Sequence, residues 1–324
     1  MREALARGTP IDVTDLQRPG ASCPLRVRQV PPPVPRPGFL THARFRRTSP
    51  ITQYAAAAAI EAVGEDAEKI KAGALRLGII LCVMTGCVNY SRRFYDETLK
   101  EPATASPLVF PETVFNAPAS HIAALLETTA VCYTLVGDPG TFLQGLAMSA
   151  EWLMNNRVDG CLVIGAEELD WLTADTFRLF AKTIVLSAGA GALYLRRQSS
   201  SPVVLRCVTN AHTFIDRPQQ LDAARRARAE LASSRADDLL CDGLQGIRTM
   251  DRAEVEAWRD RSGSRTSPKK ILGEGLAAAS AWQCVAGVDA LCQRRFQAAT
   301  ISVVGCNEQA IGARFEIAGG IGRG

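Results

Sequence analysis

Two long apolar runs constrain the fold more than any other feature of the sequence. They are RLGIILCVMTG, residues 76–86, and the apolar part of VDGCLVIGAEELD, residues 158–170. Neither run alternates between apolar and polar residues, so each predicts a strand that is covered on both faces. Helical patterns lie between the strands, and parallel strands need such crossover connections. The sequence therefore predicts an α/β fold with a buried, largely parallel sheet.

The same order of strands and helices occurs twice along the chain. SSSP, residues 199–202, is the best candidate for a boundary. We therefore expect two halves, residues 51–200 and 201–324, of a duplicated α/β fold. Residues 1–50 are rich in Pro and Arg, and QVPPPVPRPGF in particular is expected to be extended because Pro supplies no N–H and disfavours helix before it.

Composition and charge exclude several classes of protein. The chain has 324 residues, 47% of them hydrophobic, a net charge of +4 and ten Cys with no CxxC pair. Its Arg residues are scattered rather than clustered beside aromatic residues, so a nucleic-acid partner is not expected. No apolar run reaches the ~18 residues of a membrane span, and no signal-peptide pattern is present. We expect a cytoplasmic protein with reduced thiols, no metal and no membrane partner.

A sharp junction follows the predicted strand at 133–136. Gly137 breaks the strand, Asp138 suits a helix N-cap, and Pro139 suits the first helical position. Apolar residues then recur at helical spacing through residue 154. The start of a helix is a natural site for an anion or an activated nucleophile. Asp and Pro, however, are neither cationic nor nucleophilic.

Several segments in this order resemble the β-ketoacyl synthases, the 3-oxoacyl carrier-protein synthases of fatty acid and polyketide synthesis. The resemblance covers about residues 38 to 317 and rests on GDPGTFLQGLAMSAEWLMNNRVDGCLVIGAEE, FPETVFNAPASHIA, DDLLCDGLQG, PKKILGEGLAAASAWQCVAGVDAL and SVVGCNEQAIGARFE. It implies the thiolase-like fold, a five-layer α/β/α/β/α sandwich of two pseudo-symmetric halves, and no cofactor. Family members also have a first strand that would precede residue 1. Its absence would leave a central strand missing, so we expect that residue 1 is not the true start.

The residues that carry the family's reaction are replaced in this chain. The family places a nucleophilic Cys at the start of the central helix, and the matching residue is Pro139. Its two catalytic His match Asp242 and Glu274, whose carboxylates would repel a developing enolate rather than stabilise it. Lys269 matches the family's Lys and is retained. The resemblance therefore implies the scaffold of a synthase without its Cys-His-His set.

The resemblance also suggests residues that would contact a substrate. Asp138, Thr141 and Phe142 match positions around the family's nucleophile, and Cys306 and Asn307 fall in the closing loop, which usually reads Gly-Phe-Gly-Gly. We predict that these five residues line the substrate pocket. If Asp242 and Glu274 project into it beside Asp138, three carboxylates share one space, and one should have a raised pKa or pair with Lys269.

The resemblance implies a non-condensing partner subunit, of the chain-length-factor type, in bacterial fatty acid or polyketide synthesis. The family dimerises through the strand at 133–136, so we expect a homodimer or a heterodimer with a β-ketoacyl synthase, and an acyl carrier protein is a further candidate partner. Two alternatives stay open. The chain is either an active synthase or acyltransferase with an unrecognised nucleophile, or a free-standing acyl-binding protein. Cys87, Cys132, Cys161 and His121 are the weak nucleophile candidates, each better explained by packing.

Overall fold

A computed structural model describes residues 1–231, 237–306 and 308–318. Its helices are α1 (Arg2–Arg7), α2 (Pro50–Val63), α3 (Ala67–Lys71), α4 (Val88–Lys100), α5 (Ala117–Leu125), α6 (Thr141–Met154), α7 (Trp171–Phe180), α8 (Arg217–Glu230), α9 (Arg248–Ala257), α10 (Pro268–Leu272) and α11 (Ala277–Cys292). Its strands are β1 (Thr14–Leu16), β2 (Leu25–Val27), β3 (Leu77–Val83), β4 (Val131–Val136), β5 (Gly160–Glu167), β6 (Gly189–Arg196), β7 (Val203–Val208), β8 (His212–Thr213), β9 (Leu239–Cys241), β10 (Arg265–Thr266), β11 (Ala298–Val304) and β12 (Gln309–Ile317). Within these residues no helix has the length and apolar character needed to cross a membrane.

The first half is built on a four-stranded sheet in the order β4-β3-β5-β6. Strand β3 runs parallel to β4 and β5, and β6 is antiparallel to β5. Every residue of β3 and β5 is buried, as their apolar runs predicted. One face of the sheet packs on α2 and α5, and the other packs on α6 and α11.

The second half repeats this arrangement in the order β10-β9-β11-β12-β7. Strand β9 is parallel to β10 and β11, and β12 is antiparallel to β11 and β7. Helices α8 and α9 cover its outer face. Helices α6 and α11 lie between the two sheets in one continuous core. The five-layer sandwich of two pseudo-symmetric halves is therefore confirmed.

The two halves differ at one edge. Strand β7 lies outside β12, but among the described residues no strand occupies the equivalent position outside β6. The indole Nε1 of Trp282 donates instead to the backbone oxygen of Ala190 in β6, at 3.1 Å.

The first fifty residues are less extended than the Pro and Arg content predicted. They form α1, an antiparallel pair of β1 and β2, and two short 3-10 helices at Gly38–Thr41 and Ala43–Arg47. The reason is local burial: Phe45 is 2% exposed and its ring packs edge-on against Phe39 at 5.5 Å. The SSSP stretch joins β6 to β7, where the two halves meet in sequence.

A single carboxylate fixes two helix starts at the carboxyl ends of β3 and β5. Ser49 is the N-cap residue of α2, but its side chain makes no capping bond. Glu168 accepts instead from the backbone N–H of Ile51 at 3.0 Å and from that of Asn89, near the start of α4, at 2.7 Å. Both helix N-termini are thus satisfied by the acid that follows β5.

Candidate functional site

The junction between β4 and α6 is a turn closed by Asp138. The backbone N–H of Thr141 donates to the Asp138 carbonyl at 2.9 Å, and that of Gly140 donates to Asp138 Oδ1 at 3.0 Å. The helix begins at Thr141, with Gly140 as its N-cap residue. Asp138 and Pro139 therefore precede the helix and are not its N-cap and first residue, because the side chain of Asp138 stabilises a turn before the first helical residue.

The carboxylate of Asp138 also fastens this turn to the loop before β12. It is 1% exposed and accepts from the backbone N–H of Gln309 at 3.2 Å, the Gln309 side chain at 3.0 Å and the backbone N–H of Glu308 at 3.3 Å. A Cβ on Gly305 would overlap Asp138 Oδ2, so only glycine fits there. Burial raises the pKa of Asp138, and the bonds from Gln309 and Gly140 oppose that shift. The backbone donors at this turn are thus occupied by a carboxylate of the chain itself.

Pro139 lacks two groups that acyl transfer would need at this place in the cavity. It lines the cavity, but its side chain has no nucleophilic atom. It also has no backbone N–H, so this position cannot donate to an oxyanion. Its carbonyl oxygen accepts from the hydroxyl of Ser280 in α11 at 2.5 Å, which fixes the turn against the central helix.

Glu274 and Lys269 form a buried ion pair at the base of the cavity. The Lys269 Nζ lies 2.7 Å from Glu274 Oε2, and their side chains are 4% and 5% exposed. Glu274 Oε1 accepts from the backbone N–H of Leu276 at 2.8 Å. Burial disfavours the charged ammonium, but the pair with Glu274 outweighs it and the pKa of Lys269 lies above its usual value. The two opposite charges therefore compensate each other inside the protein.

Asp242 does not line the cavity. It follows β9, and its Oδ1 accepts from the Ser267 hydroxyl at 2.5 Å and the backbone N–H of Leu244 at 3.2 Å. Its Oδ2 lies 3.2 Å from Arg265 Nε. Burial raises the pKa of Asp242, and the bond from Ser267 opposes that shift. The three carboxylates therefore do not share one space: Glu274 lines the cavity, while Asp138 and Asp242 bind neighbouring donors.

The cavity has a volume of about 600 Å³ and takes its walls from both halves of the fold. Of the five predicted substrate contacts, only Cys306 is part of its lining. Thr141 and Phe142 are 3% and 0% exposed, and Phe142 packs in the core between the sheets. Asn307 lies outside the described residues. The lining consists of Met84, Pro139, Thr176, Phe177, Leu179, Phe180, Phe214, Ile215, Asp216, Arg217, Gln220, Gly243, Gln245, Thr249, Met250, Asp251, Glu254, Lys269, Glu274, Val304, Gly305 and Cys306.

Two acids of α9 line the cavity and were not singled out from the sequence. Asp251 accepts from the backbone N–H groups of Gln245 and Gly246 at 3.0 and 2.8 Å. Glu254 is 4% exposed and accepts from the N–H of Gly243 at 3.1 Å. Burial and the nearby Asp242 raise the pKa of Glu254 to about 8. The sequence did contain a signal for these two acids, because residues three apart on a helix share one face.

Cys306, Cys87 and Cys161 are candidate nucleophiles, but none of the three has an activated thiol. Cys306 is accessible at the cavity surface, yet burial of its thiol raises its pKa to about 12. Burial likewise raises the pKa of Cys87 and of Cys161 to about 12. His121 lies outside the cavity lining and pairs with Glu112 at 2.8 Å. Within the described part of the chain, no group of three His, Cys, Asp or Glu side chains could hold a metal ion.

Comparison with solved structures finds the same fold in ketosynthases. A β-ketoacyl synthase from Burkholderia phymatum STM815 superposes with a TM-score of 0.77 at 15% identity, over 98% of this chain and 94% of that one. The ishigamide ketosynthase/chain length factor gives 0.73 at 17% identity, over 95% and 91%. The ketosynthase complex AntDE:AntF, a type II polyketide synthase with its acyl-carrier protein, gives 0.70 at 13% identity, over 85% and 86%.

These likenesses show that the chain has the fold of the β-ketoacyl synthases over nearly its whole length. No protein-family model and no curated protein matches its sequence. The fold is therefore shared with proteins whose sequences are only 13–17% identical to this one.

The role of Asp138 can be tested by removing its carboxylate. If the Asp138 carboxylate served only as a turn or helix cap, its removal would cost about 1 kcal/mol of stability. Because it is buried and also holds the loop before β12, we expect Asp138→Ala to cost about 2–4 kcal/mol in urea unfolding. Asp216→Ala is the matched control, since Asp216 is exposed and its side chain accepts hydrogen bonds only from Gln219 in the first turn of α8, and about 1 kcal/mol is expected there. Equal losses in the two variants would contradict the bridging role.

The raised pKa of Glu254 makes stability depend on pH. Its pKa of about 8 in the folded protein exceeds the usual value, so the folded state holds this proton more tightly than the unfolded state. The stability that this proton provides is present below about pH 4.5 and is lost as the pH rises through about 8. We expect Glu254→Gln, which does not titrate, to gain on the order of 2–4 kcal/mol relative to the wild type between about pH 5 and 8.5. If the difference in unfolding free energy between Glu254→Gln and the wild type, measured in urea, did not change with pH, the prediction would be refuted. Glu61→Gln, on the exposed surface of α2, is the control.

Proposed function

We propose that this chain is a non-condensing partner subunit of a β-ketoacyl synthase, of the chain-length-factor type, in fatty acid or polyketide synthesis. The observation that carries the proposal is the turn at residue 139. There the proline supplies neither a nucleophile nor an N–H, and Asp138 occupies the neighbouring backbone donors. One solved neighbour is described as a ketosynthase/chain length factor. A chain that keeps the scaffold without the reaction apparatus fits such a supporting role.

The surface beside β4 supports association with another subunit. Strand β4 is the sheet edge, with Tyr133 43% and Val136 53% exposed. The hydroxyl of Thr134 is buried without a hydrogen-bond partner among the described residues. Helix α4 contains no buried residue, although an isolated helix of 13 residues is marginal in water. Apolar side chains also lie exposed along α4 and the segment after it: Tyr95, Leu99, Leu108, Phe110, Val114 and Phe115. An edge strand beside this apolar surface is suited to a homodimer or a heterodimer with a synthase.

A basic surface supports an acyl carrier protein as a second partner. Residues 16–60 contain seven Arg and no Asp or Glu. Arg36, Arg44, Arg46 and Arg47, which we term the basic surface, are exposed and have no ion-pair partner among the described residues. Buried Phe45 holds the last three in a short helix. Such a surface attracts acidic partners, as carrier proteins are.

The basic surface is connected to the cavity lining through two hydrogen-bonded acids. Its last three Arg precede α2, whose N–H at Ile51 is bound by Glu168. The preceding residue, Glu167, accepts from the backbone N–H groups of Met84 and Thr85, and Met84 lines the cavity. A carrier protein docked on the basic surface would therefore contact a part of the fold that is joined to the cavity lining.

An active acyltransferase with an unrecognised nucleophile is the second candidate function. The observation that favours it is the thiol of Cys306 in the cavity lining. Its raised pKa leaves almost no thiolate at neutral pH, and the thiolate is the reactive form. The partner-subunit proposal is therefore preferred. A cytoplasmic location is part of it, supported by buried thiols such as Cys82, Cys241 and Cys284.

Association can be tested at the exposed edge of β4. We expect the purified chain to dimerise, or to co-purify with a synthase that has the Cys-His-His set, and Val136→Arg to abolish this because it places a charge in the apolar contact. Leu135 is less suitable, since it packs on the core. Val204→Arg is the matched control, an exposed valine of edge strand β7 at 41% exposure. A monomer at micromolar concentration that binds no synthase, measured by light scattering and co-purification, would count against the proposal.

The absence of a nucleophile can be tested by intact-mass spectrometry. After incubation with an acyl carrier-protein thioester, we expect acyl mass on the synthase partner and none on this chain, because Pro139 has no nucleophilic atom. Pro139→Cys is expected to become acylated slowly at most, since Glu274 and Asp242 still replace the two His. A stoichiometric adduct on any cysteine of the wild-type chain would overturn the non-condensing proposal and favour the acyltransferase.

A further inference from the structure

The lining of the cavity holds more acids than bases. Its charged residues are Asp216, Arg217, Asp251, Glu254, Lys269 and Glu274. Each of the two bases has an acid beside it. Lys269 forms the buried pair with Glu274, and Arg217 follows Asp216 at the exposed mouth, where water and salt screen both charges. The two acids of α9 are therefore the charged groups of the lining that no base offsets.

Neither acid of α9 forms an ion pair within the described part of the chain. Asp251 accepts from the backbone N–H groups of Gln245 and Gly246 at 3.0 and 2.8 Å. Glu254 is 4% exposed and accepts from the N–H of Gly243 through Oε2, whereas its Oε1 is buried without a hydrogen-bond partner among the described residues. A buried carboxylate with an unpaired oxygen is stabilised by a cation that reaches it. The carboxyl group of Glu254 thus points to a positively charged ligand.

The charged groups that face Glu254 do not supply this cation. Burial, and then the negative charge of Asp242 after β9, raise the pKa of Glu254 to about 8. Lys269 in α10 lowers it only in part, because its ammonium is bound to Glu274. Asp251, one helical turn earlier in α9, is a further acid. A cation bound beside Glu254 would displace the proton that this carboxyl holds at neutral pH.

The walls of the cavity suit the apolar body of an organic cation. They include the rings of Phe177, Phe180 and Phe214 and the thioethers of Met84 and Met250. Aromatic faces attract cations, and aromatic and thioether side chains also pack on apolar groups. The volume of about 600 Å³ is within the range of small-molecule sites. An inorganic cation would leave these walls uncovered, whereas an amine with an apolar body would cover them.

We propose that the cavity is a site for an organic cation with an apolar body, whose charged nitrogen lies against the carboxylates of Glu254 and Asp251. Protonated amines and quaternary ammonium ions share this charge and differ in whether they donate hydrogen bonds. The inference goes beyond the proposed partner role, because it concerns a ligand of the single chain and involves no acyl group.

The test compares four probes with a common 4-phenylbutyl group by isothermal titration calorimetry on the full chain at pH 8. They are 4-phenylbutylamine, trimethyl(4-phenylbutyl)ammonium, 4-phenyl-1-butanol and 5-phenylpentanoate. We expect the tighter-binding cation to bind at least about tenfold more tightly than the alcohol and the carboxylate, because only a cation compensates the acids of α9. Preference for the amine identifies a ligand that donates hydrogen bonds to the carboxylates. Preference for the quaternary ion identifies one held by the aromatic rings.

The pH dependence of binding provides a second measurement on the wild-type chain. Both cations stay charged between pH 6 and 8.5, and the quaternary ion does not titrate at all. Because binding requires the charged form of Glu254, we expect affinity to rise with pH from 6 and to level off above about 8, by at most about tenfold per pH unit. Titrations in buffers of different ionisation heat should show proton release on binding at pH 7. An affinity that did not change with pH would contradict the role of Glu254.

A pair of variants on α9 separates the cavity acid from a surface acid. Glu254→Gln removes the charge and keeps the shape of the side chain, and its expected gain in stability near neutral pH means that it should fold. We expect it to lose both the preference for cations over the alcohol and the proton release. Glu256→Gln is the matched control, since Glu256 lies outside the cavity lining and pairs with Arg259 at 2.9 Å. Affinities should be unchanged in the control.

Equal or tighter binding of the alcohol or of the carboxylate would overturn the proposal, and preference for the carboxylate would indicate an anion site at Arg217 instead. The absence of binding by all four probes to folded protein would also overturn it, as would a full cation preference in Glu254→Gln. No synthase or carrier protein is present in these experiments. Failure of this inference therefore leaves the proposed partner role untouched.

Discussion

The bridge made by the Asp138 carboxylate is the interaction on which the rest of the site depends. It closes the turn after β4 and holds the loop before β12, so it joins the first half of the fold to the second. A buried carboxylate is stable only when donors surround it, and here those donors are three backbone N–H groups and the side chain of Gln309. The bridge therefore fixes the turn from which Pro139 lines the cavity. Gly305 is required by the same contact, because any side chain there would strike Asp138.

Buried charges elsewhere at this end of the fold are neutralised in the same local manner. Glu168 accepts from the starts of α2 and α4, and Glu274 accepts from Lys269 and the N–H of Leu276. Asp242 accepts from Ser267 and Leu244 and lies beside Arg265. Each of these carboxylates thus stabilises backbone N–H groups or an adjacent cation.

The sequence predicted the layers of the fold well but the site only in part. Periodicity was sufficient for β3 and β5, because strands buried on both faces leave an uninterrupted apolar run. The pairing of Glu274 with Lys269 was foreseen as one outcome of crowded charges. The placement of Asp138 and Asp242 was not, because it depends on donors that lie far away in sequence, such as Gln309, or on loop geometry after β9. Phe142 was misassigned to the pocket for a related reason: a residue in the first turn of a helix faces either the cavity or the core, and the sequence alone does not show that Phe142 faces the core.

The two edges of the first sheet differ in a way that bears on assembly. At the β6 edge the Trp282 indole donates to the carbonyl of Ala190, and the backbone of Arg28 forms hydrogen bonds with residues just before the strand. Both contacts protect that edge from pairing with another strand. At the β4 edge, Tyr133 packs on Trp152 at 5.1 Å, and the guanidinium of Arg157 lies over both rings. This cluster orders the aromatic surface beside the exposed backbone of β4, so less side-chain entropy would be lost if another chain covered it. Of the two edges of this sheet, β4 is therefore the one better suited to pair with another strand.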